Sequence, residues 1–81
     1  MNKERIFEVI KETIIDIMDD VLEDENEITP EASLHGLGAN SIDRMDIIMD
    51  VSDKLGVKIP MTQFATVQNL KEMTELFYEY L

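Results

Sequence analysis

A chain of 81 residues encloses one hydrophobic core and leaves no length for a separate catalytic domain, so a single domain spanning residues 1–81 is expected. Acidic residues outnumber basic ones by 18 to 7, a formal net charge of -11, which disfavours the phosphate backbone of nucleic acid and favours basic protein surfaces as partners. Cysteine is absent and His35 is the sole histidine, which excludes a disulfide framework, a thiolate metal site and a zinc centre.

The N-terminal run Met1-Asn2-Lys3-Glu4-Arg5 leads straight into an amphipathic segment, and no apolar stretch is long enough for export or for spanning a bilayer. The expectation is a cytoplasmic monomer without membrane contact. From Lys3 to Glu23 the residues Ile6, Ile10, Ile14, Ile17 and Val21, flanked by Phe7 and Met18, recur at steps of three and four, which predicts a long first helix. Asp24-Glu25-Asn26-Glu27 ends that pattern. In the loop that follows, Ile28, Leu34 and Leu37 are spaced apolar anchors, and Thr29-Pro30 offers a cap and a first helical position for a short turn.

Gly36 and Gly38 bracket Leu37 just ahead of Asn40-Ser41-Ile42-Asp43, where a capping residue is followed three positions later by an acid. A second helix is predicted from Asn40 or Ser41 to about Leu55, with Gly56 as its stop and Val57-Lys58-Ile59-Pro60 unable to continue it. Met61 to Ala65 is short and ambiguous. A final helix is predicted from near Thr66, with Val67, Leu70, Met73, Leu76 and Phe77 on one stripe and Tyr80 and Leu81 closing the chain. No segment alternates at period two for long enough to suggest a sheet, so the fold class is all-α: three main helices and a short fourth.

The second helix holds more apolar residues than one buried face can use. At about 100° per residue, Ile47, Ile48, Val51 and Leu55 gather on one side as a core stripe, while Ile42, Met45 and Met49 fall on another, bordered by Asp46, Asp53, Asp43 and Asp50. A small bundle could bury this helix on two sides. The acidic border favours a docking surface instead, because exposed apolar patches rimmed by charge mark interaction sites and methionine adapts to several partners.

A serine at a helix start is usually only a cap. If Asn40 caps this helix, Ser41 stands in the first turn with its hydroxyl free, where a phosphodiester would meet unpaired N–H groups and the positive end of the helix dipole. No second imidazole or orienting partner accompanies His35, which argues against a serine hydrolase. The acids Asp19, Asp20, Glu23, Asp24, Glu25 and Glu27 lack the central glycine and alternating ligands of an EF-hand loop and read as a solvated helix end.

Leu37-Gly38-Ala39-Asn40-Ser41-Ile42 resembles the phosphopantetheine attachment motif of acyl carrier proteins, usually a Gly-x-Asp-Ser-Leu-like run. Asp43 to Leu55, Ile59-Pro60 and Thr66-Val67 follow in the order that such carriers show, so the resemblance covers nearly the whole chain. It implies a right-handed bundle of three long helices and a short one, and a 4'-phosphopantetheine arm on Ser41, delivered from coenzyme A by a phosphopantetheinyl transferase. The arm's thiol would hold the acyl group. The resemblance also implies that Asn40, Ile42, Met45, Asp46, Met49 and Asp53 lie where carriers meet an acyltransferase, a ketosynthase or related synthase enzymes, and that the carrier itself is not an enzyme.

Two features depart from the common pattern. Asn40 stands where aspartate is usual, which removes a charge beside the attachment position and weakens a basic contact from the transferase. The interval from Pro60 to Thr66 is shorter than in carriers of fatty acid synthesis. Together with Asp43-Arg44-Met45-Asp46-Ile47-Ile48, these features look more like the discrete carriers of polyketide pathways, including those that donate acetyl units for β-branching. The competing expectation is an acidic helical interaction module with no prosthetic group.

Overall fold

The computed structural model describes residues 1–81, with three α-helices, α1 (Lys3–Ile17), α2 (Ser41–Leu55) and α3 (Leu70–Tyr80), and two 3-10 stretches, Glu25–Glu27 and Met61–Thr66. No strand is present, so the chain is an all-helical bundle in which the Met61–Thr66 stretch takes the place of the expected short fourth helix.

α1 ends earlier than its hydrophobic period suggests. The sequence pattern runs to Glu23, but the helix stops at Ile17 and the chain continues as a turn in which the Val21 and Leu22 N–H groups both donate to the Met18 carbonyl, at 2.9 Å each. Asp16, Asp19 and Asp20 crowd this C-terminal end with no basic residue in the last turn, the arrangement that the helix dipole opposes. The early stop leaves Val21, the last residue of the expected helical stripe, half exposed, while Met18 is buried. Ile17 is only half-buried.

α3 begins four residues later than expected, at Leu70 rather than Thr66. Asn69 caps it by accepting from the Glu72 N–H at 2.8 Å, and the Glu72 carboxylate accepts from the Gln68 N–H at 2.9 Å. The next two free N–H groups of the helix start, on Leu70 and Lys71, donate to the carbonyls of Ala32 at 2.9 Å and Pro30 at 2.8 Å. The long loop between α1 and α2 therefore terminates α3 from the side, and Thr29-Pro30 forms the short turn expected there, closed by the Ala32 N–H donating to the Thr29 carbonyl at 3.0 Å.

Sixteen buried apolar residues form one core, drawn from α1 (Ile6, Val9, Ile10, Ile14), α2 (Ile47, Ile48, Val51, Leu55), α3 (Leu70, Met73, Phe77) and the connecting segments. Ile28 and Leu34 anchor the loop in that core, with Leu37 packed at its edge. Tyr80 and Leu81 are exposed and add nothing to it. α1 packs against both other helices, whereas α2 and α3 touch each other little and the space between them is filled from the loops by Leu34 and Phe64. The Phe64 ring lies 5.5 Å from that of Phe77, which ties the 3-10 stretch to α3. Buried hydroxyls are satisfied: Thr13 Oγ1 donates to the Val9 carbonyl and accepts from Lys54 Nζ at 2.9 Å, a polar clip between α1 and α2.

Candidate functional site at the start of the second helix

The loop that delivers the chain to α2 is built from short-range turns. Leu37, Gly38 and Ala39 N–H groups donate back to the carbonyls of Ser33, His35 and Leu34, each at 3.0 Å, and Ala39 is buried. Gly38 holds φ at 98°, and a Cβ at that position would lie 2.9 Å from Val21 Cγ1. Only glycine meets both demands. Asn40 then closes a capping box: its side chain accepts from the Asp43 N–H at 2.8 Å, and the Asp43 carboxylate accepts from the Asn40 N–H at 3.4 Å.

Because Asn40 occupies the cap, Ser41 is the first helical residue and its side chain is exposed. Its Oγ accepts one hydrogen bond, from Arg44 Nη2 at 3.3 Å. The Ser41 and Ile42 N–H groups make no hydrogen bond within the protein, so the helix start presents free donors beside an accessible hydroxyl. An arginine is no general base, and no hydrogen bond joins His35 to Ser41, so the serine has no activating partner inside this chain. No group of three or more carboxylates or imidazoles converges to hold a metal ion.

Beyond Ser41, α2 exposes Ile42, Met45 and Met49, which are 70%, 49% and 57% accessible, while Ile47, Ile48 and Val51 on the opposite side are buried. Asp46 and Asp53 are exposed at the border of that stripe, and with Met49, Asp50 and Ile17 they line a shallow depression. Ile17 belongs to the periodic stripe of α1; the early end of that helix is what brings it to this rim, and no local signal marks it.

A cleft of about 140 Å³ opens on the other flank, between the loop after α1, α2 and the start of α3, lined by Leu34, Arg44, Ile48, Phe64, Val67 and Met73 among others. Arg44 thus borders both Ser41 and the cleft. The sequence pattern marked it only as part of the Asp43–Ile48 run, although a cation three residues after a first-turn serine is a legible helical pairing.

Comparison with known proteins agrees with this geometry. A family description for the phosphopantetheine attachment site matches residues 12–77. The polyketide biosynthesis acyl-carrier-protein AcpK of Bacillus subtilis (strain 168) is 38% identical over 79 residues, covering 98% of this chain and 94% of its own. The acyl carrier proteins of Rubrobacter xylanophilus and Petrotoga mobilis are 31% identical over 81 residues and 30% identical over 82, covering 99% and 100% of this chain and 96% and 93% of their own. These matches do not favour an interaction module without a prosthetic group. The chain belongs to the acyl carrier protein family, whose members carry acyl groups on a 4'-phosphopantetheine arm.

Proposed function

We propose that Ser41 is the attachment residue and that the chain works as a single-domain carrier, without catalytic activity of its own, in polyketide assembly. The exposed Ser41 hydroxyl at the first position of a capped helix carries this reading. Three observations fit an esterified phosphate there: the free N–H groups of Ser41 and Ile42, the neutral Asn40 cap, and Arg44 beside the oxygen. When bound, the arm supplies a terminal thiol for thioester chemistry.

In the loading step the Ser41 oxygen attacks the phosphorus of coenzyme A nearest the pantetheine. The new oxygen–phosphorus bond would form as the bridge to the second phosphate breaks, and the nucleotide, adenosine 3',5'-bisphosphate, would leave with that bridging oxygen. The serine proton goes to a base on the transferase, since no base is placed on this side. The chain's own contribution is presentation: the cap fixes the helix, the glycine-bearing loop exposes the hydroxyl, and tethering raises the effective concentration of cargo at each partner site.

The exposed stripe of Ile42, Met45 and Met49, with Asn40 at its head and Asp46 and Asp53 along its edge, is the surface for the phosphopantetheinyl transferase and for acyltransferase or ketosynthase partners. Apolar anchors inside a rim of acids suit a groove bordered by lysine and arginine. The likeness to the polyketide carrier AcpK supports that pathway class, and cytoplasmic location fits a chain in which no helix is long and apolar enough to cross a membrane. A monomer is the expected free state. Incubation with coenzyme A and a broad-specificity transferase adds one phosphopantetheine to the intact mass on this reading; no adduct would refute it.

A further inference from the structure

Arg44 is out of keeping with its surroundings. It is the one lysine or arginine between Lys11 and Lys54, in a chain with 18 acids, yet it pairs with none of them: the only ion pair in the molecule is Arg5–Glu8. Its nearest acidic neighbour in sequence, Asp43, is engaged by the capping box. The guanidinium has five N–H donors, of which one reaches a protein acceptor, Ser41 Oγ, at a long 3.3 Å. The side chain is half-buried and lines the cleft beside Ile48, between Ser41 and the Phe64–Met73 side.

We propose that Arg44 is a positioning residue for the esterified phosphate: its guanidinium holds the anion over the start of α2 and so sets the arm's departure toward the cleft flank rather than the Ile42–Met49 stripe. The inference rests on Ser41 being the attachment residue. Esterification puts phosphorus one bond from the oxygen that Arg44 already contacts, so two phosphate oxygens come within reach of donors that now have no partner. A bidentate contact between opposite charges would replace a single long bond to an uncharged hydroxyl. The neutral Asn40 cap adds no competing negative charge, and the free N–H groups of Ser41 and Ile42 face the same anion. Direction matters because the two flanks of α2 differ: one is the exposed apolar stripe, the other the cleft.

The test uses NMR on the intact protein before and after loading, with isotope-labelled coenzyme A as phosphopantetheine donor. In the wild type, the Arg44 Nε–Hε signal shifts on loading, and the shift shrinks as salt is raised. The ³¹P resonance of the loaded Arg44→Gln protein differs from that of the wild type, and the arm amide nearest the phosphate becomes more mobile, with Arg44→Lys intermediate. An adduct that forms normally while the Nε signal stays still and the ³¹P shift and arm mobility match between wild type and Arg44→Gln would overturn the proposal. Absence of any adduct would instead refute the Ser41 reading. If Arg44→Gln fails to fold by circular dichroism, the wild-type Nε shift and its salt dependence decide alone.

Discussion

The two sides of α2 use the same residue types for opposite ends. Ile47, Ile48, Val51 and Leu55 are sealed against α1 and the loops, while Ile42, Met45 and Met49, no less apolar, lie open to solvent on another side of the same helix. The buried set contributes stability by removing apolar area from water. The open set contributes much less of that in the free protein, and its exposure makes sense where a partner covers it in turn. A helix boundary and a projection suffice to separate the two roles, since a rotation of the helix by one residue would exchange them.

The sharpest way to break the comparison is to make the same deletion on both sides. Ile47→Ala removes a fully buried side chain and is expected to lower the unfolding free energy by about 2–5 kcal/mol, whereas Ile42→Ala should stay within about 0.5 kcal/mol of wild type, both read from urea denaturation. Equal losses would mean that the open stripe is core. On the open side, Met45→Glu should cut transferase kcat/KM by about tenfold or more, equivalent to about 1.4 kcal/mol, with helicity unchanged by circular dichroism. A parallel loss of helicity would move Met45 to the structural side. Upstream of both, Gly38→Ala places a methyl group against Val21 at a left-handed φ and should cost about 1–2 kcal/mol of thermal or urea stability; a neutral result would show that the loop shifts freely.

Much of this was legible in the sequence because the relevant signals are local. Asn40 and Asp43 bracket the start of α2, and Gly56, at φ 69°, ends it after Leu55, so the helix bounds and the division of its faces follow from residues within a few positions of each other. The end of α1 and the start of α3 are not legible in the same way, for a different reason. Hydrophobic period ran past both true boundaries, through Val21 and Val67, and period alone carries no stop. At α3 a local mark does exist, Asn69 followed three residues later by Glu72, but the contacts that complete the boundary come from Pro30 and Ala32, about forty positions upstream. Such long-range backbone pairing leaves no pattern in the segment it terminates. The cleft and the part that Ile17 takes in the rim of the exposed stripe depend on those same boundaries and were hidden with them.

The central claim is that one hydroxyl, at the head of α2, carries the prosthetic arm. The chain has three serines, with Ser33 half-buried beside the cleft and Ser52 within α2. Peptide mapping by tandem mass spectrometry after loading from coenzyme A should place the whole phosphopantetheine mass on Ser41, and Ser41→Ala should abolish it. A modification found on Ser33 or Ser52, or one that persists in Ser41→Ala, would contradict the account.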